Sequence, residues 1–128
     1  MPAQYRVVLD AASADTGLPL SLLAAVAHVE SDFSRRAVSS AGAVGMLQVL
    51  PRTARSLGFD VRDADEAVLA GARYLRLMLA RFRSLPLALA AYNAGPAAVE
   101  RAGGAPSASV SRYVDDVLEH RRRIGGCG

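Results

Sequence analysis

The sequence contains no lysine; all fifteen of its basic residues are arginines. Guanidinium groups stay protonated at physiological pH, so lysine nucleophiles and Schiff-base chemistry are excluded. Cysteine is almost as scarce. Cys127 stands alone in the Gly125-Gly126-Cys127-Gly128 tail, which rules out an internal disulfide framework and any multi-cysteine zinc site. Glutamate occurs only at Glu30, Glu66, Glu100 and Glu119. A general acid or base must therefore come from a few carboxylates, two histidines or the tyrosines. Uncharged runs such as Thr16–Val29 and Ser84–Val99 are shorter than the ~18–20 residues of a spanning helix, and Pro, Gly or Asn interrupts them. No membrane span is expected. The start, Met1-Pro2-Ala3-Gln4-Tyr5-Arg6, lacks a basic region followed by an apolar one, so no signal peptide is expected either.

What is present points to helices. The 128 residues are 52% hydrophobic and 21% charged, which fits one domain spanning residues 1–128 and excludes disorder. No segment alternates at period two for long, whereas apolar residues recur at helical spacing almost everywhere. Tyr5, Val8, Leu9 and Ala12 form one stripe, with Gly17 as its stop. Ser21 is the expected N-cap of Leu22–Glu30, a segment apolar on nearly every side. Val68, Ala72, Leu75, Leu79 and Phe82 predict a long amphipathic helix capped by Asp63 or Asp65. Pro86 suits the first turn of a short helix, Leu87–Asn93, closed by Gly95. Val110, Tyr113, Val114, Val117, Leu118 and Ile124 mark a last helix. The glycine-bearing stretches Ser39–Gly45 and Ala102–Ser109 are connections. The predicted fold class is a single all-α domain.

Glu30 is the residue that this pattern leaves unexplained. It ends an apolar helix, where desolvation and the negative end of the helix dipole both disfavour its charged form and raise its pKa, as a general acid near neutral pH requires. On spacing alone a second reading stays open, in which Glu30 turns outward and pairs with Arg35 or Arg36. Ser39-Ser40-Ala41-Gly42-Ala43-Val44-Gly45 follows; it is either a backbone that a ligand can approach or an ordinary helix connection. Gln48 interrupts the apolar run Met46–Leu50, and a buried amide needs partners. Ala91-Tyr92-Asn93-Ala94-Gly95-Pro96 puts an aromatic and an amide at a helix end.

Together these blocks resemble the soluble lytic transglycosylase family, the lysozyme-like catalytic domain of glycoside hydrolase family 23. The order is Glu30-Ser31, Ser39, Gly42-Ala43-Val44-Gly45-Met46-Leu47-Gln48 and Pro51-Arg52-Thr53-Ala54. Tyr74-Leu75, Ala91–Pro96 and Tyr113-Val114 follow, so the signature covers about residues 18–118. The resemblance implies a lysozyme-like helical domain with a substrate groove. It also implies cleavage of peptidoglycan between N-acetylmuramic acid and N-acetylglucosamine, with a 1,6-anhydro product and no metal or organic cofactor. In this reading Glu30 is the sole catalytic carboxylate, acid first and then base. Ser39, Gln48, Tyr92, Asn93 and Tyr113 are implied substrate-binding or groove residues, Tyr113 beside Glu30. Ser31 is expected to support the helix end, and Asp32, two positions from Glu30, to face elsewhere. Two positions depart from the family pattern. Met46-Leu47 inverts the usual order of the two apolar residues, and Ser109 stands where a glutamate is common.

The remaining features have weaker claims. His28 lies in an apolar helix and His120 beside Arg121-Arg122-Arg123, without metal-ligand spacing. A Ser-His-Asp set using Asp115 and His120 lacks the Gly-x-Ser-x-Gly turn. The net charge of +3 admits a small nucleic-acid-binding helical protein, but the arginines outside the triplet are dispersed and no nucleic-acid partner is expected. Closer rivals are a hydrolytic muramidase on the same fold and a non-catalytic glycan-binding module. The expected partner is the peptidoglycan strand, bound by a monomer in the cell envelope. A dedicated secretion route, phage-style delivery or an envelope-spanning assembly would carry it there, and the small size also fits one piece of a larger protein.

Overall fold

Two segments, Leu20–Ser31 and Leu85–Ala94, are so apolar that water cannot be left on any broad face of either, and other elements have to surround them. The computed structural model describes residues 3–126 and shows how this is met; Cys127 lies outside the described residues. In chain order the helices are α1 (Ala3–Thr16), α2 (Leu20–Ser31), α3 (Pro51–Ser56), α4 (Ala64–Phe82), α5 (Leu85–Ala94), α6 (Pro96–Ala102) and α7 (Ala108–Gly126). Amphipathic α1 and α7 cover α2, while α4, α6 and α7 cover α5. Leu22 to Ala27 and Ala88 to Tyr92 are accordingly buried without interruption. A smaller cluster of Val49, Ala54, Ala67 and Ala70, with Phe59 and Val61 against it, fixes α3 to α4.

The all-α expectation holds. Among the described residues the only β-type pairing is two isolated bridges, Val38 with Val44 and Val44 with Val49. The long helix is capped as anticipated by Asp63, whose side chain accepts from the amides of Asp65 and Glu66 at 2.9 and 3.1 Å. Ser21 is not a cap: α2 begins at Leu20, two residues earlier than expected, with Pro19 at the N-cap and no side-chain capping bond. The Pro19 carbonyl takes the first amides instead, and its fixed φ already suits a helix entry. The helix carrying Pro86 begins at Leu85, with Ser84 accepting from the Leu87 amide at 3.3 Å, and Gly95 closes it as expected. Two short helices, α3 and α6, fall where only motif residues or a helix stop were expected. Both start at a proline in the first turn, which a scan for long stripes overlooks.

Candidate active site

Glu30 occupies the last turn of α2, where the dipole is negative and the apolar core begins. The helix then stops abruptly. Asp32 and Phe33 take left-handed conformations, with φ of 51° and 62°, and return their amides to the His28 and Ala27 carbonyls. Ser31 fixes this end to the next loop: its hydroxyl donates to the Met46 carbonyl at 2.8 Å and accepts from the Ser34 amide at 3.1 Å. It supports the helix end, as expected. Asp32 is exposed and pairs with His28 Nδ1 at 3.2 Å, so it does face away from Glu30.

Across from Glu30 stands α7. Tyr113 Oη donates to Glu30 Oε2 at 2.8 Å. The outward-turned reading of Glu30 fails: Arg35 reaches Asp65 at 3.2 Å, and among the described residues Glu30 has no ion pair with Arg35 or Arg36. Burial lifts the Glu30 carboxyl from its ordinary 4.5 to about 7, and the Tyr113 hydrogen bond opposes the rise without cancelling it. The negative charge of Glu30 in turn helps burial to push both the Tyr113 and Tyr92 hydroxyls well above the usual tyrosine range. The three groups therefore form one electrostatic unit, although only two share a hydrogen bond.

The other three glutamates lie in polar surroundings. Glu66 accepts from the Asp60 amide at 3.1 Å, Glu100 pairs with Arg81, and Glu119 pairs with Arg123 at 2.9 Å and Arg122 at 3.9 Å. The terminal arginine triplet is thus partly neutralised within its own helix.

Beside Glu30 the loop of residues 33–50 folds back on itself. Gly45, with φ of 81°, lets its amide reach the Ala37 carbonyl at 2.8 Å. Gln48, also left-handed at φ 54°, donates both Nε2 hydrogens, to Ala37 and Gly45 carbonyls at 3.1 and 2.9 Å. Its amide is satisfied as the sequence required, which leaves Oε1 as its accepting atom. Ser39 is exposed in the same loop, and its Oγ accepts from the Ala43 amide at 3.1 Å. Met46 and Leu47 are both buried, so neither member of the inverted pair offers its side chain to a groove.

A cleft of about 320 Å³ opens between this loop, α4 and α5, lined by Gln48, Tyr92 and Asn93 together with Leu50, Arg52, Thr53, Tyr74 and the Ala94-Gly95-Pro96 turn. Tyr92 forms its floor and is only 8% exposed. Its hydroxyl points inward and donates to the Leu47 carbonyl at 2.5 Å, so what Tyr92 presents to a ligand is ring surface. That inward reach requires Gly71 on α4, where an added Cβ would lie 2.8 Å from Leu47 Cβ and 3.0 Å from Tyr92 Oη. Tyr74 packs on Tyr92 with ring centroids 5.5 Å apart. It was not among the expected site residues. The available signal was an aromatic on α4 lying off the apolar stripe through Val68, Ala72 and Leu75.

Of the six expected site residues, Gln48, Tyr92 and Asn93 share the cleft, and Glu30 joins Tyr113. Glu30 and Tyr113 are not among the residues that line the cleft. Ser39 is joined to neither by a hydrogen bond among the described residues.

A family model described as the transglycosylase SLT domain matches residues 8–113. The chain belongs to this family. Among curated relatives, this SLT domain is 41% identical over 73 residues to membrane-bound lytic murein transglycosylase F 2 of Alkalilimnicola ehrlichii, covering 56% of this chain and 16% of that protein. It is 38% identical over 93 residues to a transglycosylase of Enterobacteria phage PRD1, covering 72% of this chain and 35% of the phage protein. The SLT domain thus spans about a third or less of the relatives it matches. Its fold superposes with a TM-score of 0.82 on an inactive glutamate-to-glutamine mutant of lytic transglycosylase Slt from Pseudomonas aeruginosa, at 28% identity over 98% of this chain and 24% of that one. The Escherichia coli soluble lytic transglycosylase shares the fold, with a TM-score of 0.80 at 24% identity over 98% of this chain and 25% of that one. The lysozyme-like all-α architecture is the shared element.

Proposed function

We propose that this SLT domain cleaves the β-1,4 bond between N-acetylmuramic acid and N-acetylglucosamine in peptidoglycan, releasing a 1,6-anhydromuramoyl end. One observation carries the reading: a carboxyl at a helix end, held at about 7 by burial, with a tyrosine hydroxyl at 2.8 Å as its polar partner. At neutral pH such a group is close to half protonated, which suits it to give a proton and later take one.

In the first step Glu30 protonates the glycosidic oxygen. Tyr113 donates to Oε2, which leaves Oε1 to carry the acid proton. The bond from C1 to the leaving oxygen breaks while the muramoyl acetamido group assists at C1. In the second step the Glu30 carboxylate removes the proton of the sugar's own C6 hydroxyl, and O6 closes onto C1. One carboxylate serves both steps, whereas two-carboxylate glycosidases divide the roles between two groups. Burial raises the Glu30 carboxyl against the opposing Tyr113 hydrogen bond, without a second acid contributing among the described residues. Gln48 Oε1, Asn93 and the Tyr74 and Tyr92 ring surfaces would hold the sugars, and the Ser39 hydroxyl, which accepts from Ala43, keeps its own proton to donate. The relatives' names support the reading, as does the inactivity of the Pseudomonas glutamate-to-glutamine mutant.

The partner in this proposal is the glycan strand, and the site of action is the cell envelope. No described helix is long and apolar enough to cross a membrane. The proposal is tested by mass spectrometry of muropeptides released from purified peptidoglycan. Products one water lighter than hydrolytic ones are expected; reducing-end muramic acid would assign the site to a hydrolytic muramidase instead.

A further inference from the structure

The cleft lined by Gln48, Tyr92 and Asn93 is built for a neutral sugar in all respects but one. Its walls supply aromatic surface from Tyr74 and Tyr92, an amide from Asn93, the Thr53 hydroxyl and the accepting oxygen of Gln48. The exception is Arg52, the single charged residue among those walls. Three arginines reach carboxylates across the fold: Arg35 meets Asp65, Arg73 meets Asp15 at 2.8 Å, and Arg81 meets Glu100. Arg52 is exposed and, among the described residues, has no such partner. A guanidinium offers a planar fork of donors that matches a carboxylate with two parallel hydrogen bonds, and an uncharged sugar hydroxyl uses that fork poorly. With Thr53 and Asn93 as flanking donors, this end of the cleft has the composition of an anion site attached to a sugar site.

We infer that Arg52 is a specificity-determining residue that binds a carboxylate carried by the glycan strand, so that the cleft selects acidic muramoyl strands over neutral amino-sugar polymers. The inference rests on the reading of the cleft as a glycan site. Two sources supply the same chemistry: the lactyl carboxylate of a muramoyl residue without its peptide, or a carboxylate of an attached stem peptide.

The test is a binding titration in the Glu30→Gln background, where strands are not consumed. Three probes are compared: strands stripped of peptide by an amidase, strands with intact stem peptides, and neutral chito-oligosaccharides. Replacing Arg52 by Gln should raise the Kd for at least one acidic probe by about tenfold, the scale of one charge-assisted contact. Binding of chito-oligosaccharides should stay within about twofold, and Arg52→Lys should restore only part of the loss because it keeps the charge and not the fork. A loss confined to stripped strands identifies the lactyl group, and one confined to intact strands identifies the peptide. Equal losses on acidic and neutral probes, or no loss on any, overturn the inference. Cleavage products of the unmodified protein are read separately, so failure of the anhydro-product assignment is distinguishable from failure at Arg52.

Discussion

Glu30 and Asp60 are both carboxyl groups near helix ends, both hydrogen-bonded, and their proton affinities differ greatly. Asp60, in the connection between α3 and α4, is bound by the backbone amide, Nε and Nη2 of Arg62 at 2.7–3.1 Å and is drawn down to about 2. Glu30 receives one hydrogen bond from a neutral hydroxyl and is pushed up to about 7. Hydrogen bonding favours the charged form in both cases, so it cannot explain the opposite directions. Burial separates them. The Arg62 hydrogen bonds draw Asp60 down with little burial to oppose them. Glu30 has lost most of its water to the apolar end of α2, and burial outweighs its single hydrogen bond. A fold obtains an acid that works at neutral pH by withholding both solvent and counter-charge.

Replacing Glu30 by Gln tests the comparison most severely. It keeps the shape and removes the titrating group, so release of anhydro-muropeptides should fall by about 10²–10⁴-fold. Activity within threefold of the original would remove Glu30 from the mechanism. Stability should move the opposite way. A carboxyl held at about 7 in the fold against its ordinary 4.5 binds more protons folded than unfolded between those values. Stability therefore falls as pH rises from 4.5 to 7, by up to about 3 kcal/mol. Calorimetry should find Glu30→Gln more stable than the original protein at pH 8 and equal to it at pH 4. Equal Tm values at both would show that desolvation of Glu30 is not the cause of its shift.

The dry surroundings have their own weak point at Gly71. An alanine there places Cβ 2.8 Å from Leu47 Cβ, which is not the flexible end of a side chain. Gly71→Ala should therefore cost about 1–3 kcal/mol in urea unfolding, even though alanine favours a helix interior by about 1 kcal/mol. The displaced Tyr92 should also reduce activity. Gly104→Ala, where the new methyl meets open space, is the matching control and should cost little.

Tyr113→Phe addresses the one side-chain hydrogen bond of Glu30 among the described residues. That hydrogen bond lowers the Glu30 pKa, so its loss lets burial push the group above about 7. The alkaline limb of the pH–rate profile should shift to higher pH. The maximal rate should fall by up to about tenfold, the worth of one hydrogen bond to a charged group. A limb that moves to lower pH would mean that Tyr113 stabilises the protonated acid.

Much of this was legible before any coordinates, and for uneven reasons. Helices with a broad apolar face, such as α4 and α7, announce themselves by spacing, and Asp63 announces its cap. Glu30 stood out because a lone carboxylate ending an apolar run conflicts with ordinary burial. Its partner Tyr113 lies 83 residues along the chain. Only the family resemblance brought the two together, since periodicity assigns a residue to a face and not to a neighbour. The Tyr92 hydroxyl could not be oriented from sequence either. Whether it faces a ligand or the Leu47 carbonyl depends on how closely α4 approaches, and that approach is set by the missing side chain at Gly71. Ser21 misled because a hydroxyl before an apolar run usually caps, and here Pro19 had already fixed the entry.

The smallest expected effect lies at Asp60. Its lowered pKa contributes stability that is present above its ordinary 3.8 and is lost as pH falls toward about 2. Yet both side chains are exposed, and water and salt can replace most of what Arg62 provides. Asp60→Asn should leave Tm at pH 7 nearly unchanged, and any difference should shrink in 1 M salt and fade as pH drops through about 2. A Tm change at pH 7 as large as that of Glu30→Gln at pH 8 would mean that the number of hydrogen bonds, and not the exclusion of water, separates the two carboxylates. The expected contrast assigns the difference to solvent, because the group with more hydrogen bonds is the one whose loss the fold notices less.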